Sequence, residues 1–419
     1  MKTNLRLVLF ILFISSSILA QERLLKVSSK DSIGGQPKIS AWFGANMKMN
    51  GYYNIKGGLQ EYDTFNVGNI DVKGNDNRQN LALDFYQTQM RLDAAYIHPK
   101  IGKIRAHISW DFWGGNGHMR LRKAYVMTEH WQIGQDWENF GDQNVWPNVL
   151  DFDGPPSGIW ARVPFVKYFD TFSENKWGYE VALQAPMVNY ASYPNVLVPV
   201  QIDKTYQNLP DAVLAVKRQG DWGHIRLSTV YRSINYLENG NIDNTKRLLG
   251  FGGSLSGMIG GFGRNNFQFQ AAAGRGISAY IVSFGGSNFD AYPHQSNNFE
   301  TTPSFGGWAS YEYYITPIVH VNAVYGYTKF EMNDLAPLNL DNGDVVKEAH
   351  SSSFYNYILT NIMWDPYPNL SIGIEFNYGF KNVKTKGDLT DSITGVTAPF
   401  DNDDTRDASR VSFGFMYNF

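Results

Sequence analysis

The sequence predicts an all-β fold, a 16-stranded antiparallel transmembrane β-barrel with short periplasmic turns and long extracellular loops. Three observations carry that prediction. Apolar and polar residues alternate with period two along most of the chain, the connections between alternating segments are short and long by turns, and an exported N-terminus is matched by an alternating C-terminal segment that ends on Phe419. Alternation sets one face of an extended segment against an apolar medium and the other against water. In lipid every backbone N–H and C=O must be paired within the protein, and among β structures only a closed barrel achieves this.

The stretch MKTNLRLVLFILFISSSILA carries Lys2 and Arg6, an apolar run from Leu7 to Phe13 and small residues up to Ala20, the layout of a signal peptide over 1–20. Export and the absence of cysteine suit a bacterial envelope and exclude a disulfide scaffold. Residues 21–37 are expected to form a short periplasmic segment and 38–419 the barrel. No later apolar run reaches the roughly 18 residues of a membrane helix. Aromatic residues make up 15% of the chain and charged residues 18%, against a usual ~25% charged in soluble domains. A net charge of −3 offers no basic surface for nucleic acid, so no nucleic-acid partner is expected.

Strand one alternates Ile39, Ala41, Phe43, Ala45, Met47 and Met49 with Ser40, Trp42, Gly44, Asn46, Lys48 and Asn50. The next two repeat the pattern, Thr88, Met90, Leu92, Ala94 and Tyr96 in one, Ile104, Ala106, Ile108, Trp110 and Phe112 in the other. Taken in order, the strands fall at 38–53, 85–97, 102–113, 118–128, 131–138, 159–169, 177–185, 211–218, 222–235, 246–256, 265–275, 304–315, 317–329, 351–364, 369–381 and 409–419. Many exceed the ~5–6 residues of a globular strand and approach the ~9–11 of a bilayer-crossing one. The even-to-odd connections are short, such as QGD (219–221) and TP (316–317), whereas 54–84, 139–158, 186–210, 236–245, 276–303, 330–350 and 382–408 are long. This is the asymmetry of outer-membrane barrels, and it places the protein in the bacterial outer membrane, with lipid as its first partner.

Sixteen strands enclose an aqueous lumen, so passage of solutes is the expected function. With apolar residues assigned to lipid, Arg91, Lys103, Arg105, Arg120, Arg122, Arg162, Arg226 and Arg232 face inward by parity, beside His107 and His224. Such a wall concentrates small anions; alternatively, these cations pair with Asp93, Asp111 and Glu180 and stiffen the barrel. Two lysines break the parity. Lys123 falls among outward residues, which a bulge or a subunit interface explains; Lys167 shares parity with Val163 and Phe165, and either reaches the rim or is turned inward beside Arg162 by a bulge at Pro164.

The stretch WPNVLDFDGPPSG (146–158) lies in the third outside loop, where folding inward would constrict the pore over about 139–158. Asp142, Asp151, Phe152 and Asp153 are the candidate constriction residues, with Pro155 in the turn back to strand six. The acids would oppose the cationic wall and create a transverse field.

The run MRLRKAYVMTEHWQIGQDWENFGD, then VLDFDGPPSG and ARVPFVKY, resembles the signature of the DcaP-like trimeric outer-membrane porins. That resemblance implies a homotrimer passing small, mostly anionic solutes such as dicarboxylates, with Arg120, Arg122, Arg162 and Lys167 on the anion-lining wall and Asp142, Asp151 and Asp153 on the constricting loop. The chain departs from the family in one respect: QERLLKVSSKDSIGGQP is too short for a coiled-coil extension before the barrel.

Other chemistry finds little support. DNDDTRD and DNGD lack the EF-hand spacing, no G-x-S-x-G elbow is present, and no Walker or H-E-x-x-H motif occurs, so neither a cofactor nor an enzymatic activity is expected. The competing function is a non-conducting barrel that acts as an adhesin or scaffold through its outer loops.

Overall fold

In a computed structural model of the chain, residues 24–57, 59, 64–75, 77–115, 117–151, 153–188, 190–193, 199–284, 290–296, 298–340 and 342–419 are described. The expected signal peptide and Phe152 lie outside them.

Sixteen strands form a closed antiparallel barrel. They are β1 (Ile39–Lys56), β2 (Gln89–His98), β3 (Gly102–Asp111), β4 (Arg120–Met127), β5 (Trp131–Trp137), β6 (Arg162–Phe172), β7 (Trp177–Gln184), β8 (Asp211–Gly220), β9 (Gly223–Glu238), β10 (Asn241–Phe262), β11 (Asn265–Arg275), β12 (Pro303–Thr316), β13 (Val319–Leu335), β14 (Val345–Tyr367), β15 (Leu370–Thr390) and β16 (Thr397–Asn418). Closure runs through β16 and β1, from Asn418 opposite Asn46 to Ser409 opposite Lys56. Below that seam, Leu25–Ser28 pairs with Ser40–Phe43 of β1, so part of the segment expected to precede the barrel extends its sheet.

The outer face is apolar because alternate residues along each strand face outward: Leu214 and Val216 on β8, Leu249, Phe251 and Leu255 on β10, Ile358 and Ile362 on β14, Ile374 and Phe376 on β15 are all exposed. Aromatic rings gather toward the short turns, with Phe172 stacked on Trp177 at 6.2 Å and Tyr417 edge-on to Phe419 at 4.7 Å. An apolar band bordered by aromatics is the signature of a membrane-spanning barrel.

Three connections expected as long outer loops are not loops of that kind. Segment 382–408 is mostly strand, β15 and β16 remaining in register up to Thr390 opposite Thr397. There Lys384 faces Asp403 and Lys381 faces Arg406, and with water on both sides no apolar period remains to mark the strands. Segment 236–245 shrinks to the two-residue turn Asn239–Gly240, with φ of 54° and 65°, an Asn-Gly hairpin signal that the apolar pattern overshadowed. Of segment 276–303, residues 276–284 enter the barrel, burying Ile277, Tyr280, Ile281 and Phe284.

The lumen is therefore partly filled. Residues 138–151 and 153–161 fold inward, and they meet the segment after β11 and the segment between β1 and β2. Val282 N–H donates to Gly158 O (3.0 Å), Ser283 N–H to Pro156 O (2.7 Å), and Phe65 N–H to Asp151 Oδ2 (2.6 Å). Phe65, Val67, Ile70, Val145, Trp160, Ile281 and Phe284 pack with Trp308, Val324, Tyr355, Tyr357 and Leu359 of β12–β14 in one apolar core inside the barrel. The loop can seat so closely because a Cβ on Gly326 would lie 2.1 Å from the Tyr357 ring; glycine leaves room for Tyr357, whose Oη lies 2.5 Å from Ser157 Oγ.

This filling corrects the orientation of β6. Val163 and Phe165 are buried beneath the inward segments, while Pro164 and Val166 are exposed. The β5–β6 ladder runs without a break from Arg162 opposite Trp137 to Tyr168 opposite Trp131, so Pro164 makes no bulge. Lys167 is buried because it shares the inner face with Val163 and Phe165, which the rule of apolar residues toward lipid inverted. At β4 a bulge, one of the two explanations open for Lys123, is present: Ser109 pairs with Lys123 and Trp110 with Leu121, leaving Arg122 as the extra residue.

Candidate functional site

That bulge builds the site. With one residue inserted, Arg120, Arg122 and Lys123 all reach acids of the inner wall from a stretch of four positions. Asp111, at the end of β3 and fully buried, holds both arginines. Arg120 Nε and Nη2 donate to its two oxygens at 3.0 and 2.8 Å, and Arg122 Nη1 donates to Oδ2 at 2.7 Å. Lys123 Nζ lies 2.8 Å from Asp136 Oδ1 of β5. Gly134, paired with Tyr125, lets the two strands approach, since a Cβ there would lie 2.3 Å from Ala124 O, and His107 stacks on Tyr125 at 5.1 Å.

The expected residues divide into two groups. The first lines the sector from β1 to β6. Arg91 lies across Gly44, its Nε 3.8 Å from Asp93 Oδ2, and Asp93 also meets His107 Nδ1 at 2.7 Å. A cavity of about 150 Å³ is bordered here by Asn46, Gln89, Arg91, His107, Ser109 and Lys123. Lys103 and Arg105 are exposed on the same strand as His107. Arg162 stacks on Trp137, 4.9 Å from the ring, within electrostatic reach of Arg120, Arg122, Asp111 and Asp153.

The second group is sealed beneath the inward segments. Arg226 donates to the carbonyls of Asn139 (2.6 Å) and Gly141 (2.7 Å) and to Glu180 Oε2 (2.9 Å). Arg232, fully buried, sits between Asp211 and Asp290 at 3.1 Å each and donates to the carbonyls of Gly276 and Met187. Lys167 lies 5.5 and 5.7 Å from the rings of Phe165 and Phe169. These three were expected to line the pore; Arg226 and Arg232 instead fasten the inward segments to the wall, and Lys167 is buried beside rings of its own strand.

The loop acids also divide. Asp142 is buried against His224 Nε2 (2.9 Å) and Ser256 Oγ (2.9 Å). Burial opposes its ionisation, but the bond from His224 and the charge of Arg226 outweigh it and hold the carboxyl well below the ordinary range. Glu138 accepts from the N–H groups of Phe140 and Gly141, yet burial dominates and pushes it up to about 7. Asp151 is buried at the loop tip, and burial, then the charges of Asp153 and Glu375, push it up to about 8. Asp153 is half-buried and interacts with Arg122 and Arg162. Pro155 is buried in the turn, its carbonyl accepting from Gly158 N–H at 2.8 Å.

Several residues that shape the site were not singled out from sequence. Glu375 of β15 accepts from Leu150 N–H (2.7 Å) and Asp151 N–H (3.2 Å), Lys48 Nζ donates to Leu150 O (2.9 Å), and the fully buried Arg410 donates from Nε to Asn54 Oδ1 (2.7 Å). Lys48 and Arg410 carried a signal, since both alternate with apolar neighbours. Trp137, Trp146, Trp160 and Trp308 form a chain of rings with centroids 5.7, 4.2 and 5.7 Å apart, which ties the loop to β5 and β12.

No family model matches the chain, and no curated protein sequence matches it. Solved structures do. The outer membrane channel DcaP of Acinetobacter baumannii is similar at 17% identity over 94% of this chain and 100% of that one, with a TM-score of 0.67. The outer-membrane expressed OmpT of Vibrio cholerae (10% identity, 94% and 100% coverage, TM-score 0.52) and the anion-selective porin from Comamonas acidovorans (10% identity, 91% and 100% coverage, TM-score 0.51) are also similar. At these identities the likeness is one of fold, and the fold is that of outer-membrane channel barrels.

Proposed function

We propose that this protein is an outer-membrane porin of the DcaP-like kind, through which small hydrophilic anions diffuse passively. The observation that carries the reading is the division of the lumen. The β12–β14 side is filled by an apolar core, while the β2–β6 side keeps Arg91, Arg120, Arg122, Lys123 and Arg162, with Asp111 shared between two arginines. A narrow water-filled passage beside low-dielectric walls focuses such a field. The acidic loop contributes Asp153 to this passage, whereas Asp142 and Asp151 act as its fastenings.

The test is conductance in planar bilayers. Stepwise currents and a reversal potential of anion-selective sign in a salt gradient are expected, and replacing Arg120 and Arg122 with Gln should move that potential toward zero. Cation selectivity in the unaltered protein would sink the reading. The depth to which three segments fill the lumen favours one other reading, a barrel that does not conduct, and an absence of steps would establish it.

A further inference from the structure

We infer that Asp111 is a positioning residue for selectivity: its carboxylate aims the Arg120–Arg122 pair, so that a negative charge promotes the passage of anions. The inference rests on the porin reading above and goes beyond it, because counting charges gives the opposite sign.

Three observations carry it. Asp111 is fully buried, and three of its contacts go to Arg120 and Arg122 at 2.7–3.0 Å, two of them the paired fork that fixes a guanidinium in a plane. Arg120 and Arg122 belong to one face of β4, and the bulge at Arg122 adds Lys123 to it, opposite Ser109, so that three cations are gathered beside the end of β3 that carries Asp111. Finally, the pair is unequal. Arg120's side chain is 32% exposed and Arg122's 8%, so Arg120 meets the water of the lumen while Arg122 is held in the wall.

Remove the Asp111 charge and Arg122 loses the buried carboxylate it donates to at 2.7 Å, a loss costly enough to force a rearrangement. An acid within its electrostatic reach is Asp153 on the constriction loop. Turning toward Asp153 would draw the two charges together and neutralise both. Asp111→Asn adds one unit of positive charge to the wall, yet the channel it leaves should prefer anions less.

Two measurements on the full-length protein in detergent and in bilayers test this. Arginine labelling with phenylglyoxal, read by mass spectrometry, should modify Arg122 slowly in the unaltered protein and several-fold faster in Asp111→Asn. The reversal potential of Asp111→Asn in a KCl gradient should lie closer to zero than that of the unaltered channel. If Asp111→Asn does not reach the heat-modifiable folded form on a gel, Asp111→Glu decides, since it keeps the charge and displaces the carboxylate by one methylene; the same two shifts are expected. Unchanged Arg122 labelling, or a variant channel more anion-selective than the parent, overturns the inference. A parent channel that is silent or cation-selective overturns the porin reading instead, and the labelling still decides what Asp111 does.

Discussion

Asp151 and Asp153 stand two positions apart on one loop and are expected to answer differently to the same substitution. Asp151 holds its proton up to about pH 8 because it is buried beside Asp153 and Glu375. An unfolded chain releases that proton near the ordinary value of about 4. The native pKa lies above the unfolded one, so below about pH 4 nothing is lost. As pH rises from there to 8 the native state forfeits stability steadily, and beyond 8 the loss is complete. Asp151→Asn should therefore raise the midpoint of urea unfolding, by a margin that widens between pH 5 and pH 8; a margin that narrows over that range would refute the assignment. Asp153 interacts with Arg122 and Arg162 beside the passage, so Asp153→Asn should make the channel more anion-selective while Asp151→Asn leaves the reversal potential in place. In the sequence the two aspartates look alike. What separates them is a third residue, Glu375, more than 200 positions away and brought close only by barrel closure.

At the scale of elements, the constriction is a matter of where 138–161 is fastened. Its tip is held by Glu375, which accepts two backbone N–H groups of the loop and the side-chain amides of Asn361 and Asn377. Each buried donor left unsatisfied costs about 1–3 kcal/mol, so Glu375→Ala should release the tip toward water. Single-channel conductance is expected to rise and the open current to become noisier; an unchanged, quiet conductance would show that the tryptophan chain and Ser157–Tyr357 hold the loop unaided. The strands themselves were legible in sequence because lipid on one side and water on the other impose period two, and each expected segment overlaps a strand of the barrel. Legibility failed where one of those media was missing. Above the membrane both faces of β15 and β16 are wet, and the strand ends vanished into apparent loop. Inside, protein replaces water behind β6, and Val163 and Phe165 were taken for lipid-facing residues. The place of 139–158 in the strand count points to an inward course, but nothing in the sequence points to the entry of 276–284, since Ile277, Ile281 and Phe284 in an outer loop have no period to betray them.

At the scale of the molecule, the wall is uneven, and the unevenness predicts an assembly. Strands β4 and β5 have 8 and 7 residues, whereas β14 to β16 have 23, 21 and 22. At ~3.3 Å per residue and a tilt near 40°, seven residues rise only about 18 Å, short of an apolar band of about 25 Å. Lipid against that wall would meet backbone groups beyond the strand ends, a situation hydrocarbon does not tolerate. The exposed outward residues there, Leu121 and Val126 on β4 and Ile133 on β5, therefore suit another protein surface better than lipid. Closed symmetric association through one such face per copy gives a ring, and the homotrimer implied by the resemblance satisfies it. Light scattering in detergent should give three copies per particle. Val126→Arg with Ile133→Arg should lower that to one while the folded barrel persists on a gel, because arginine costs more in a dry subunit contact than beside detergent head groups. Arginine at Ile358 and Ile362, on the tall wall, should weaken the barrel itself and leave the copy number unchanged. If the first pair leaves three copies and the second disperses them, the contact lies on the tall wall and the short strands must be sheltered in some other way.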